Sequence, residues 1–85
     1  MKIQTTRPFN KDYQDLPQAI QEQPDKQLTL FLNNPRHPSL NIKKVKGHPR
    51  IWEGRITKNY RFTFQFEGDL YVLRRIGTHD ILKTP

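Results

Sequence analysis

At 85 residues, with 33% hydrophobic and 11% aromatic side chains, the chain holds one small domain, 1–85, with a compact core. Its 15 Lys and Arg against 8 Asp and Glu leave a net charge of +7, which points to an acidic partner: a nucleic acid, an anionic membrane or an acidic protein. The absence of cysteine excludes disulfides and thiolate metal sites. No stretch reaches the length of a membrane span, and no amphipathic helix concentrates the positive charge, so a membrane role is disfavoured. Met1-Lys2-Ile3-Gln4 leads into no apolar run, so a soluble, cytoplasmic protein without a signal peptide is expected.

Taken in chain order, Met1 to Thr6 read as a first strand ended by Arg7-Pro8. Asn10 is a suitable N-cap for a helix from Lys11, with Tyr13 and Leu16 on one face. Pro17 opens a second helical stretch, in which Ala19, Ile20, Leu28, Phe31 and Leu32 recur at roughly helical spacing up to Asn33. Pro24 inside that pattern predicts a kink or a split. Asn33-Asn34-Pro35 is a stop signal, and His37-Pro38-Ser39 is loop. Leu40 to Lys46 reads as an extended arm or short strand, closed by a turn at Gly47-His48-Pro49.

The second half alternates with a period of two. Ile51 to Thr57 is a strand with Trp52, Gly54 and Ile56 on one face and Glu53 and Arg55 on the other. Lys58-Asn59 is a tight turn. From Tyr60 to Phe66, the residues Phe62, Phe64 and Phe66 point one way, and Arg61, Thr63 and Gln65 the other. Glu67-Gly68-Asp69 makes a hairpin into a last strand, Leu70 to Ile76, which Gly77-Thr78 ends before a short turn from His79 to Leu82. The class is α+β: an N-terminal strand, two helical segments, then a three-strand antiparallel meander with the helices packed on one sheet face. The opposite face should carry Arg55, Arg61 and nearby polar groups.

Three features bear on chemistry. Lys43, Lys44 and Lys46, followed by His48 and Arg50, suit either a phosphate-contacting arm or a solvated charged loop. Arg55 and Arg61 on adjacent strands suit a phosphate, or pair with Glu53 or Glu67. His79, after Arg74-Arg75, is either a proton carrier or an ordinary surface histidine. No metal is expected, because His37, His48 and His79 show no ligand spacing. Ser39, the one serine, lies in a loop without a nucleophile turn, and no Gly-rich phosphate loop is present.

The order of these segments carries a resemblance. A helical half ends in Asn34-Pro35-Arg36-His37-Pro38-Ser39-Leu40. Lys44-Val45-Lys46-Gly47, Ile51-Trp52-Glu53-Gly54-Arg55-Ile56, Tyr60-Arg61-Phe62-Thr63-Phe64 and Arg75-Ile76-Gly77-Thr78-His79-Asp80 follow. Over nearly the whole chain this resembles the RelE/ParE toxin superfamily, and the Arg75 to His79 ending is most similar to its YafQ branch. The resemblance implies the toxin of a type II toxin–antitoxin system. Such a toxin is a ribosome-dependent endoribonuclease that cuts mRNA without metal or cofactor, through attack of a ribose 2′-hydroxyl on the adjacent phosphate. By position, His79 becomes the general acid, Arg75 the arginine before it, and Arg61 the contact to the scissile phosphate. Arg55 steadies that phosphate, and Glu53 or His48 serves as general base. The implied partners are a cognate antitoxin, the ribosome and mRNA. The free chain would be a monomer and the antitoxin complex a hetero-oligomer.

Two departures from the pattern stand out. Asn59 occupies a position where the YafQ branch has Asp, and the C-terminal Tyr or Phe of some relatives has no evident counterpart, which leaves Tyr60 and Tyr71 as the candidates for stacking on a base. The same fold implies two alternatives, a ParE-like inhibitor of DNA gyrase and a degenerate member that only binds RNA or its antitoxin. If Arg61 and His79 stand on an open face, replacing either with Ala should leave folding intact.

Overall fold

The computed structural model describes residues 2–85. Strand β1 (Lys2–Thr5) leads into helix α1 (Arg7–Asp15), a 3-10 turn (Gln18–Ile20) and helix α2 (Glu22–Asn33). After a second 3-10 turn (Pro38–Leu40) come β2 (Lys43–Lys44), β3 (Trp52–Arg55), β4 (Tyr60–Glu67), β5 (Leu70–Thr78) and a last 3-10 turn (His79–Lys83). The sheet order is β1-β5-β4-β3-β2, with β1 parallel to β5 and the other pairs antiparallel. The α+β class and the β3-β4-β5 meander are as expected. The arm after Leu40 contributes a two-residue edge strand, and Met1 of the expected first strand lies outside the described residues.

The helices cover one face of the sheet. Phe9 of α1, Leu16 just after it, Phe31 of α2, and Leu40 pack onto Phe62, Phe64, Tyr71, Leu73 and Ile76. The ring of Phe31 lies 5.2, 4.7 and 4.5 Å from those of Phe62, Phe64 and Tyr71, within the range of attractive edge-on and tilted contacts. Gly54 is where β3 admits this layer: a Cβ there would run into the Phe62 ring. Tyr71, expected as a base-stacking candidate, is buried in this core and is unavailable for stacking. Among the described residues, no helix is long and apolar enough to cross a membrane.

Several boundaries differ from the expected ones. The N-cap is Thr6, whose hydroxyl accepts from the Phe9 amide at 3.2 Å, and Asn10 lies inside α1. Pro8 therefore falls in the first turn, where its missing N–H has no intrahelical partner to lose. Pro24 does not kink a helix either. The split comes before it, at Gln21, and α2 starts at Glu22, so Pro24 also lies in a first turn. The Lys58-Asn59 turn is wider than a two-residue link: Ile56 and Thr57 donate backbone hydrogen bonds to the Tyr60 carbonyl at 2.9 and 3.1 Å. Strand β5 does not stop at Gly77, because Gly77 pairs with Arg61 and Thr78 with Tyr60.

Past Leu73, β5 has no strand on its outer side, since β1 has already turned into α1. Side chains satisfy that edge instead. The Thr6 hydroxyl lies 3.1 and 3.0 Å from the carbonyl oxygens of Leu73 and Arg74. Asp12 of α1 accepts from the Ile76 amide at 3.2 Å. Both contacts fix α1 to the strand that leads to His79, and both meet the demand that buried backbone groups be paired.

Candidate functional site: a cationic sheet face

Cross-strand partners project to the same side of a sheet, so the register defines the face turned away from the phenylalanines. One row reads Arg55, Arg61, Gly77, and the next reads Lys43, Glu53, Thr63, Arg75. The expected grouping of Arg55, Arg61 and Glu53 is what the register produces. Glu53 is only 4% exposed, and Arg61 Nη1 donates to its Oε1 at 2.9 Å. Arg55 sits directly opposite Arg61 and is exposed, with no ion pair among the described residues. Two guanidinium groups facing each other repel, and one carboxylate beneath them offsets only part of that charge. The face keeps net positive charge with which to meet an anion.

The pairing also changes one expectation. Arg61 is the partner that keeps a buried carboxylate from being uncompensated, so Arg61→Ala disturbs folding as well as the face. His79, exposed and unpaired with any carboxylate among the described residues, carries no such burden.

Arg75 shares the row with Glu53 but is occupied. Its Nε and Nη2 donate to Asp12, the latter at 3.2 Å, and its Nη1 donates to the Thr84 carbonyl at 3.1 Å. The Asp12 hydrogen bond raises the Arg75 pKa, partly opposed by burial and helped by the Asp12 charge. A β-bulge at Thr63/Phe64 sets Arg74 beside it. Arg74 Nη1 donates to Gln65 at 2.7 Å and its Nε to the Pro85 carbonyl at 3.2 Å. The two arginines thus draw residues 84 and 85 back to the sheet. Ile81 lies over Gly77, where any Cβ would come within 2.9 Å of its Cγ2. Thr63 is fully buried in the same row, and its hydroxyl has no partner.

His79 opens the last 3-10 turn, two positions beyond Gly77, the register partner of Arg61. The chain therefore places His79 at the end of the sheet where the Arg55–Arg61 row ends. The basic run divides. Lys43 lies in the row with Glu53, whereas Lys44 takes the opposite side with its Nζ 5.3 Å from the Trp52 ring centroid. Lys46, Arg50 and the half-buried His48 lie in the loop from β2 to β3, folded by bonds from the Val45 amide to the Ile51 carbonyl and from the His48 amide to the Val45 carbonyl. Among the described residues, no cluster of His, Asp and Glu comes together as a metal site.

Sequence reasoning missed Asp12, Arg74 and the segment after Lys83. No local signal marks Asp12, because its partner is 63 residues away. The adjacent Arg74-Arg75 pair in an alternating strand was the one available hint of a bulge.

No protein-family model matches the chain, and no curated protein matches it. Solved structures do resemble it. YafQ from E. coli strain BL21(DE3) has a TM-score of 0.74 at 17% identity, over 95% of this chain and 96% of that one. A YoeB/ParE toxin from Agrobacterium tumefaciens has a TM-score of 0.75 at 21% identity, over 93% and 99%. The RelB–RelE antitoxin–toxin complex from Methanococcus jannaschii has a TM-score of 0.72 at 23% identity, over 94% of each chain. The chain has the RelE/YafQ-type toxin fold.

Proposed function

We propose that this protein is the toxin of a type II toxin–antitoxin pair and cleaves mRNA on the ribosome. The observation that carries the reading is the row of Arg55 and Arg61, one free and one held by Glu53, whose β5 member Gly77 lies two residues before His79. A phosphodiester placed over that row gains two guanidinium partners, a geometry suited to the extra negative charge of a pentacoordinate phosphorane.

The reaction needs one proton removed and one supplied. The 2′-oxygen forms a bond to the adjacent phosphorus while the bond from phosphorus to the 5′-oxygen breaks. Glu53 receives the 2′-hydroxyl proton once Arg61 has moved from the carboxylate to the phosphate. His79 delivers a proton to the departing 5′-oxygen. The products are a cyclic phosphate and a 5′-hydroxyl end. Arg75, held by Asp12, keeps the strand end and His79 in place, and Lys43, Lys46, His48 and Arg50 neutralise flanking phosphates. The resemblance to an antitoxin–toxin complex supports a protein partner that silences the toxin.

The test is cleavage of a defined mRNA on purified bacterial ribosomes, with mapping of the new 5′ ends. The wild-type protein should yield 5′-hydroxyl ends at codon-related positions. His79→Ala should reduce the rate by about 100-fold or more, the usual contribution of a positioned acid. Intact mRNA together with inhibited DNA supercoiling would replace this reading by the gyrase-directed one. Inactivity in both assays would leave a binding protein without catalysis.

A further inference from the structure

The side of the sheet opposite the arginine row holds a second surface. Helix α2 ends at Asn33, and the chain turns away through Pro35 and Pro38, so the helices stop short of the β4–β5 hairpin. What they leave uncovered is an open groove of about 750 Å³, in which the exposed Phe66 and half-buried Trp52 stand above the buried rings of Phe31, Phe64 and Tyr71. The register pairs Trp52 with Phe64 and Phe66 with Tyr71 on this side. Phe66 is 49% exposed, although the alternation of β4 assigns it to the core.

The rim is cationic. Arg36 and His37 line one wall, Lys44 lies over Trp52, and Arg50 reaches the adjoining hollow that shares Trp52 and Phe66. Among the described residues, no Asp or Glu lines the groove itself. Glu67 borders the adjoining hollow, where it accepts a hydrogen bond from Gln65 at 2.7 Å.

We infer that this groove is the docking site for an acidic, amphipathic segment of a protein partner, which sets apolar side chains against Phe66 and Trp52 and carboxylates against Arg36 and Lys44. The ring geometry favours side chains over nucleobases. Phe66 stands at 77° to Trp52 and 85° to Phe64, so the groove offers ring edges and clefts instead of parallel faces, and Lys44 already occupies the Trp52 ring. A second copy of the chain is disfavoured because each copy carries a charge of +7. Calling the partner an antitoxin rests on the toxin reading above, whereas the chemistry of the groove does not. Because the groove and the arginine row lie on opposite sides of the sheet, docking here anchors a partner without itself filling the phosphate site.

Fluorescence anisotropy on the full chain tests this directly. The probe is a labelled synthetic helix with Leu along one face and Glu along the other, and its sibling carries Lys in place of Glu. The Leu/Glu helix should bind at least about tenfold more tightly than the Leu/Lys helix. Phe66→Asp should weaken it by about tenfold or more, the range of a central anchor, and Arg36→Glu should weaken it in the same direction. Both variants should melt as the wild type does. Arg36→Glu keeps the test decisive should Phe66→Asp unfold. Equal binding of the two helices, or binding untouched by both substitutions, overturns the inference. So does displacement of the probe by a single-stranded RNA oligonucleotide, or self-association in sedimentation that Phe66→Asp abolishes. Helix binding by a protein inert toward mRNA would remove the ribonuclease reading and keep the groove; active cleavage without helix binding would do the reverse.

Discussion

Replacing Arg61 with Ala has two effects, and a second substitution separates them. The Glu53 side chain is 5% exposed and that of Arg61 20%, and they meet at 2.9 Å. Removing one member of a fully buried pair costs about 3–5 kcal/mol, because the other charge is left uncompensated. Water already reaches Arg61, and Lys43 lies opposite Glu53 in the register, where it partly replaces the lost charge. The expected loss is therefore about 2–3 kcal/mol, below that range. For a domain of this size, each kcal/mol shifts the midpoint by about 4–8 °C, so Arg61→Ala should melt about 10–20 °C lower. Adding Glu53→Gln removes the stranded charge and should recover more than about half of the loss. Circular dichroism melting of the wild type, both single variants and the double variant gives the coupling energy. RNA cleavage by the double variant, at a temperature where it is folded, reports the chemical role of the pair. A coupling below about 0.5 kcal/mol, the scatter of ordinary surface changes, would refute the claim that this pair is a buried, mutually dependent unit.

Asp12→Ala leaves Arg75 without its carboxylate and the Ile76 amide without an acceptor, and should cost about 2–3 kcal/mol in urea denaturation. Asp12→Asn keeps an acceptor for Ile76 and should fall between the two. Gly77→Ala pushes on Ile81 and moves the turn that begins at His79. It should cost about 1–3 kcal/mol as overpacking while lowering cleavage about 100-fold, and unchanged cleavage would separate His79 from the chemistry. The Tyr13 hydroxyl donates to Asp25 at 3.0 Å, and this bond, with lesser help from burial and the Asp25 charge, raises the Tyr13 pKa. A raised folded value means that the contribution is complete below the unfolded pKa of about 10 and is lost as pH climbs through the folded one. Tyr13→Phe should therefore flatten the fall in melting temperature on the alkaline side, and an identical slope would count against the bond.

The sequence by itself determined the meander and the composition of its two faces. A strand places alternate residues on opposite sides, so Phe62 and Phe64 had to separate from Arg61 and Thr63 once β4 formed. The same period brings Glu53, Arg55 and Arg61 to one side whatever each then touches. Tertiary structure decided what each of those groups touches. Nothing local assigns Arg75 to Asp12, draws Thr84 and Pro85 onto the bulged arginines, or buries Tyr71 against Phe31. Phe66 shows the same limit. Its alternation matches that of Phe64, yet α2 ends too early to cover it, so one ring is core and the other a docking edge. Periodicity is a property of neighbours along the chain, whereas partner choice depends on which distant elements reach the same few ångströms of space, and that is settled only when the helices pack.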